Sequence, residues 1–446
     1  MNNRGEFSSS LGFIMAAAGS AIGLGNIWGF PSQTAKNGGA AFVLVYLILA
    51  FIIAYPALMA ELIIGRHANA NAVGAFQKIS GGKPFIPAGF FGLLVAGLIL
   101  SFYSIVAGWM ISYIFQPLFL QMGWNETAAW LIGSSVSRNL LFTTLFYLLT
   151  ILIISGGVKK GIEKWSTRLM PALIIIMIFL TAYVFTLSGA MDGLKAYLLP
   201  DFSRIFEPAL LISALGQAFF SLSLGVGTML VYGSYIPARE NLSRLGIYVT
   251  LADVAIAFLA GLLIIPAIYV AAANGAQIFD ESGNLIEGGT IVFQALPQLF
   301  TSMGTIGIPV GIVFFLLMTI AALTSSISML EVPVSYAVDN LQAPRRISTW
   351  LIGAGFWLVS VLIILNFELL FDLIIDITTK YSQPILGLIF CIFIGWVMNR
   401  NEILMELKKG FPDAEHSLFF KVWKFFVKVI TPLLILSVFI HSLIYG

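Results

Sequence analysis

Eleven stretches of this chain are long and apolar enough to cross a lipid bilayer, and nothing else in the sequence limits its fold so tightly. A spanning helix needs about 20 mostly apolar residues in a row. Because hydrocarbon offers no water, every backbone N–H and C=O at that depth must find a partner within the protein. The runs fall at 9–34, 39–65, 88–120, 138–155, 166–188, 208–236, 243–272, 307–338, 347–366, 368–398 and 418–444. Over the 446 residues, 59% are hydrophobic and 10% charged, against about 25% charged in ordinary globular domains. A soluble enzyme is therefore excluded. The net charge of +2 is spread between the spans, which gives no case for a nucleic-acid partner. Cys391 is the only cysteine, so no intrachain disulfide is possible. Arg4 and Glu6 lead directly into the first run, unlike a cleaved signal peptide, so the first span is expected to remain.

An odd number of spans places the termini on opposite sides, and the Lys/Arg distribution decides which is inside. With the N-terminus cytoplasmic, all but Lys36, Arg138, Lys195, Arg204 and Lys380 of the 23 basic residues fall on the inner side. The expected location is a bacterial inner membrane, with the C-terminus outside. The segment 271–307 carries Asp280, Glu281 and Glu287 and is too long for a simple connection. It reads as an ordered outer loop able to act as a lid.

Two of the spans are interrupted by small residues at the depth of the bilayer centre. In the first the interruption runs Gly19-Ser20-Ala21-Ile22-Gly23-Leu24-Gly25-Asn26, and in the sixth from Gly216 to Gly227. Glycine costs about 1 kcal/mol in a helix interior, and unwound backbone is tolerated in a membrane only around a polar cavity or within protein. Glycines also let helices pack closely. However, two breaks opening two consecutive sets of five spans point to an inverted-repeat carrier. The organisation expected is one transporter domain over 1–446, with a first five-helix repeat at 9–188, a second, inverted one at 208–398 and an extra helix at 418–444. Unwound carbonyls suit a hard cation, while exposed amides at a half-helix N-terminus suit a carboxylate. In the eighth span Thr324 and Ser325 are adjacent hydroxyls in an apolar helix. Such residues commonly bond back to their own helix, but here they could present oxygens to the first break.

These residues resemble the neurotransmitter:sodium symporter family, specifically its bacterial, leucine-transporter-like amino-acid carriers. The matching motifs are Gly19 to Pro31, Pro56 to Arg66, Phe102 to Trp109, Gly216 to Gly227, Ala321 to Asp339 and Phe371 to Pro384, so the likeness covers essentially the whole chain. The fold implied is all-α and polytopic, a 5+5 inverted repeat with helices 1 and 6 broken. By that resemblance one sodium ion sits on the carbonyls of Gly19, Ile22 and Ala321 with the hydroxyls of Thr324 and Ser325. A second uses the Ala21 carbonyl, Asn26, Ser221 and the substrate carboxylate. The family's further ligand to this ion, an Asn, aligns with Ala252. The substrate carboxylate is expected on the Leu24 and Gly25 amides and the Tyr103 hydroxyl, and the amine on carbonyls of Ala21, Phe220 and Ser221. Ser20, Ile99, Phe220, Ser223, Val226, Ser325 and Met329 would form the side-chain pocket. Gly23 stands where carriers of amines without a carboxylate place Asp, which favours a ligand bringing its own.

Two departures concern the outer gate. The family's usual Arg is Gly29 here and its Asp is Ile375, with Asp376 and Lys380 close by, so outer gating is expected from Phe220, Tyr103, Gln217 and the long loop, or from Asp376 with a different partner. The inner gate is expected to pair Arg4 with Asp339, supported by Tyr235 and Ser234. Intramembrane carboxylates are functional candidates. Asp253 is the candidate for the fixed negative charge that replaces chloride, so chloride is expected to be dispensable. Glu61 is expected to brace the broken first helix, and Glu331 to have a similar structural role. His67, His416 and His441 lie far apart and suggest no metal or nucleophilic centre, so no enzymatic activity is expected. The function implied is sodium-coupled import of a small zwitterion, a hydrophobic or aromatic L-amino acid, by a monomer or loose dimer. A different osmolyte such as taurine or betaine is the alternative. A non-transporting receptor or a substrate-gated channel is favoured less.

Overall fold

The computed structural model describes residues 5–80, 85–275, 292–293 and 296–445. The first apolar run folds as two half-helices, α1 (Ser10–Ala21) and α2 (Gly25–Lys36), bent by 54° at the break. Seven of the remaining runs are single long helices: α3 (Ala40–Ala68), α4 (Ile86–Gln121), α5 (Val136–Ser155), α6 (Val158–Val184), then α9 (Leu242–Ala273), α10 (Gly304–Asp339) and α11 (Arg345–Leu365). The last two, α12 (Phe367–Val397) and α13 (Leu418–Ile444), complete the set. Between α6 and α9 the sixth run is α7 (Pro208–Ser221) and the single-turn-and-a-half α8 (Thr228–Gly233). By length and apolarity nine helices among the described residues can span a membrane, or ten counting the bent pair, because neither piece of the sixth run is long enough alone. The largest boundary difference is at α6, which starts at Val158 rather than near 166. A wide, π-helical turn carries Lys159, Lys160 and Glu163 into it. Much of the expected outer loop, 276–291, lies outside the described residues, as does Arg4.

The breaks form because helical backbone cannot continue there. α1 stops at Ile22, whose ψ of 96° is extended. In the sixth run Ser223, Gly225 and Gly227 all have positive φ, at 52°, 77° and 82°. At Gly225 a side chain is also barred by space, since a Cβ would lie 2.2 Å from the Gln383 carbonyl. The freed groups are then met one by one. Glu61, 1% exposed, accepts from the Gly225 N–H at 2.7 Å and the Leu230 N–H at 3.3 Å. Gln383 donates to the Leu224 carbonyl at 2.8 Å, and Gln217 to the Gly25 carbonyl at 2.8 Å. Glu61 thus braces the sixth-run break and not, as expected, the first. α3 packs directly against α8, so the carboxylate meets the nearer break.

That packing is close. A Cβ on Gly65 would stand 1.9 Å from the Leu230 carbonyl, and one on Gly233 2.8 Å from that of Leu62. Below it, at the end of α3, Arg66 donates to the Glu406 carboxylate and carbonyl and to the Glu240 carbonyl, each at 2.6 Å. This ties α3 to the short helix Arg400–Lys408. Burial alone would push the Glu406 carboxyl up, but hydrogen bonds from His67 and Lys409 and the Arg66 guanidinium hold it at about 2.

Two outcomes follow from this packing. Gly65→Ala forces the two backbones apart and is expected to cost about 1–3 kcal/mol, as overpacking does. Gly92→Ala, where a Cβ meets nothing within 4 Å, should leave the melting temperature unchanged or slightly raised. Thermal unfolding of the purified variants reads both. Because Glu406 titrates lower folded than its ordinary 4.5, its contribution is present above about pH 4.5 and lost as pH falls toward 2. Glu406→Gln, which leaves the Arg66 charge buried without its partner, should lower stability at pH 7 by about 3–5 kcal/mol. It should also flatten the acid limb of a stability–pH curve.

Candidate functional site

The two breaks face each other across α10, α4 and α9. From α10, the Ser325 hydroxyl lies within hydrogen-bond distance of three carbonyls of the first break, Gly19 at 3.3 Å, Ser20 at 3.2 Å and Ile22 at 3.4 Å. Its neighbour Thr324 bonds back to Ala321 at 3.0 Å and Ile320 at 3.2 Å. A Cβ on Gly19 would be only 3.1 Å from that of Thr324. The Ser325 hydroxyl thus joins the Gly19 and Ile22 carbonyls, and the Thr324 hydroxyl the Ala321 carbonyl, all neutral oxygens of the hard type that a Group 1 cation takes. Ser20 joins the same seam. Its hydroxyl donates to Ser328 at 2.7 Å, and its carbonyl accepts from Ser223 at 3.0 Å.

One turn outward, the Leu24 N–H donates to the Tyr103 hydroxyl at 3.2 Å. Gly23 fits here because a Cβ would collide with the Ser325 hydroxyl at 2.5 Å and that of Tyr103 at 2.7 Å. A side chain at 23 would have to displace both hydroxyls. Phe220 lies over Gly25, its ring 3.1 Å from where a Cβ would be. It remains 37% exposed, facing a cavity of about 580 Å³ that it lines with Gln217, Gly29 and Lys380. Ile99, Val226 and Met329 are buried, as apolar pocket walls would be.

On the other side of the first break sits a second polar cluster. The Asn26 amide donates to the Ser221 hydroxyl at 2.9 Å and to the Asp253 carboxylate at 2.7 Å. Ser221 donates to the other Asp253 oxygen at 2.8 Å, and Tyr46 reaches it at 3.4 Å. The Asn26 side-chain oxygen accepts from the Gly23 N–H at 3.3 Å. Asp253 is 1% exposed and has no ion pair among the described residues. Ala252 was the position aligned with the family's Asn, but it is Asp253, one residue on, that meets Asn26 and Ser221. Tyr46 was missed by sequence reasoning. Nothing local sets it apart, since the same run also holds Phe42, Phe51 and Tyr55.

Around the expected gates the structure adds further partners. At the outer end Asp376 pairs with Lys380 at 3.0 Å, while Gln217 takes the space beside Gly29, 3.6 Å from a Cβ there. At the opposite end Arg4 lies outside the described residues, so the expected Arg4–Asp339 pair falls there too. Asp339 accepts from Asn71 at 3.0 Å. Tyr235 donates to Glu331 at 2.6 Å, and Glu331 is salt-bridged to Arg345. The Ser234 hydroxyl turns back to its own helix at Val231. The Phe7 N–H donates to the Tyr235 carbonyl at 3.0 Å, and the Phe7 ring packs on Tyr235, Tyr232 and Phe13. Phe7 and Arg345 were not anticipated as part of this closure.

A family model described as the sodium:neurotransmitter symporter family matches residues 4–139 and 132–445. An uncharacterised sodium-dependent transporter of Bacillus subtilis is 34% identical over 98% of this chain and 97% of its own. The sodium- and chloride-dependent taurine transporter of Bos taurus is more distant, 26% identical over 75% of this chain and 61% of its own. Among solved structures, that of MhsT in complex with L-phenylalanine is similar with a TM-score of 0.85 and 37% identity, covering 99% of this chain and 100% of that one. A broken-helix bundle of this form, matched along its whole length, identifies a sodium-coupled transporter: the chain belongs to the sodium:neurotransmitter symporter family.

Proposed function

We propose that this transporter imports a zwitterionic, hydrophobic or aromatic L-amino acid together with two sodium ions, by alternating access around the two breaks. The observation that carries the reading is the pairing of the Leu24 N–H with the Tyr103 hydroxyl at 3.2 Å. It lies between the Ser325 seam and the Asp253 cluster. A substrate carboxylate would take both groups, trading their mutual bond for two charge-assisted ones. The likeness to MhsT, solved with L-phenylalanine, supports an amino acid, and the apolar walls of Ile99, Val226 and Met329 favour a large apolar side chain.

A buried carboxylate held only by neutral donors is costly unless a cation joins it, and Asp253 is one. The zwitterion is neutral overall, so Asp253 is the one uncompensated negative charge at the site and would offset a sodium ion in the place a chloride would otherwise take. The second ion rests on the neutral oxygens of the Ser325 seam. One ion would sit among Gly19, Ile22, Ala321, Thr324 and Ser325. The other would sit among Ala21, Asn26, Ser221, Asp253 and the substrate carboxylate, so that each raises the affinity of the other. The repeats 9–188 and 208–398 would move against each other, in an inner membrane with the N-terminus cytoplasmic and as a monomer or loose dimer.

A second reading, an osmolyte such as taurine or betaine, is favoured by Gly29 and Ile375 in place of the charged outer pair and by the taurine-transporter relative. Thermal stabilisation of the purified protein by common amino acids, taurine and betaine, each in sodium chloride, sodium gluconate and choline chloride, separates the two. We expect a shift with an aromatic or branched amino acid, equal in both sodium salts and missing in choline. A shift only with taurine or betaine would replace the amino acid. Tyr103→Phe should weaken that ligand about 10- to 100-fold, the worth of a hydrogen bond to a charged group. Asp253→Asn should lower sodium affinity at least about tenfold by removing one charge, read from the sodium dependence of the same shift. An unchanged sodium midpoint would remove Asp253 from the site.

A further inference from the structure

The half-helix α1 has 12 residues and is about 18 Å long at 1.5 Å per residue. One end carries the Gly19 and Ile22 carbonyls of the Ser325 seam, and the other lies among carboxylates that take no part in that seam. Glu163, in the wide turn that begins α6, is 6% exposed. It accepts from the Ser8 N–H at 2.9 Å, from the Ser8 hydroxyl and, at 3.4 Å, from the Ser9 hydroxyl. Ser9 in turn caps the helix, its hydroxyl oxygen accepting from the Gly12 N–H at 2.9 Å. The Glu163 carboxylate lies so close against the first turn that a Cβ on Gly12 would stand 1.9 Å from its Oε1.

On the other flank of the same turn the Ser10 hydroxyl donates to Glu240 at 2.6 Å, and just before it the Phe7 N–H donates to the Tyr235 carbonyl at 3.0 Å. Glu240 is itself tied down, since its carbonyl accepts from the buried Arg66 at 2.6 Å. The first turn of α1 is thus held between two carboxylates from separate parts of the chain. Its unpaired N–H groups and dipole favour negative charge at that end. Nothing in the folding of α6 itself calls for Glu163. Its carboxylate takes its hydrogen bonds, among the described residues, from Ser8 and Ser9 about 155 positions away. A carboxylate buried in this way is costly without such donors, so its burial is offset only while α1 stays in place.

We propose that Glu163 is a positioning residue for sodium binding. It touches neither ion nor substrate, and by holding the first turn of α1 against α6 it keeps the Gly19 and Ile22 carbonyls, at the far end of the same helix, beside Ser325. The proposal rests on the reading of the two breaks as the points of alternating access. Without these bonds α1 is free to turn about its break and leave α6. That lowers the fraction of the protein competent for the ion, and apparent affinity falls with that fraction.

The test uses the full chain in nanodiscs, in sodium chloride or choline chloride, with no organic substrate. Ala16→Cys places a thiol on the buried face of α1, where Ala16 is 1% exposed, and Cys391, the only native thiol, is equally buried. In this parent, sodium should slow labelling by a charged maleimide. Adding Glu163→Gln should speed labelling in sodium about tenfold, the lower end of what a hydrogen bond to a charged group is worth, and raise the sodium concentration for half-protection by a similar factor. Gly12→Ala, which drives the carboxylate off the first turn without removing its charge, should move both values in the same direction. Glu6→Gln makes the same charge change at an exposed acid two residues from Ser8 and should move neither. The proposal fails if Glu163→Gln leaves both values as in the parent, even where it lowers the melting temperature, because the residue would then be a structural brace alone. It fails too if Glu6→Gln matches Glu163→Gln. If sodium does not protect the parent, the alternating-access reading falls and this proposal with it. If sodium protects the parent and Glu163→Gln alike, only the positioning role falls.

Discussion

The structure is organised by unpaired backbone in a medium that cannot hydrate it. Two helices are interrupted at mid-membrane, and each interruption frees amides and carbonyls that would cost several kcal/mol apiece if left facing lipid. The polar side chains in the bundle core are largely accounted for by this. Glu61 and Gln383 hold the sixth-run break, Gln217 and Tyr103 the first, and Ser223 and Ser325 cross from one half of the molecule to the carbonyls of the other. A carboxylate as deeply buried as Glu61 is otherwise unfavourable. Here it replaces a stretch of helical hydrogen bonding that the positive-φ residues at 223, 225 and 227 have removed.

The proposed site uses the same groups. Tyr103 and Leu24, Ser325 and the Gly19 and Ile22 carbonyls, Asn26 and Ser221 bond to one another in the structure described here, and each pair consists of groups that a carboxylate or a cation would claim. Binding would exchange these partners rather than create new ones. A ligand shifts a conformational equilibrium only by its differential affinity for the two states, and a break whose own hydrogen bonds must be traded for those of the ligand provides such a difference. Asp253 would add a second constraint, because its carboxyl stays with the protein while the substrate's comes and goes.

Closure at the two ends relies on different physics. At the outer end the pair Asp376–Lys380 spans one turn of a single helix and is well exposed, so it contributes little by itself. Phe220 and Gln217, on the cavity side of the break, would bar the way there by bulk. At the other end, Glu331 is wholly buried and joined to Arg345 and Tyr235, while Phe7 brings the start of the chain onto the same tyrosine. Parting those groups while Glu331 stays buried would leave its charge without a partner, which is what makes such a pair costly to break.

Much of this was legible before any coordinates. The spans follow from runs of apolar residues, which are local, and their ends agree with the helices to within a few residues almost everywhere. The breaks follow from Gly and Ser at mid-depth, because backbone propensity is local as well. The hydroxyl pair at 324 and 325 and the aromatic lid at 220 came with the motifs that surround them. What was not legible is which side chain meets which. Glu61 meets the sixth-run break and not the first, Asp253 rather than its neighbour Ala252 meets Asn26 and Ser221, and the places of Tyr46, Gln383 and Arg345 in these networks have no signature in the sequence. Each of these depends on helix rotation. One residue along a helix turns a side chain by about 100°, so neighbours such as Ala252 and Asp253 face different helices, and only packing decides which faces the break. The sequence by itself determined how many times the chain approaches the membrane and where its backbone must open. The tertiary structure decided which buried groups close those openings, because that choice rests on the tilt and rotation of helices brought together from distant parts of the chain.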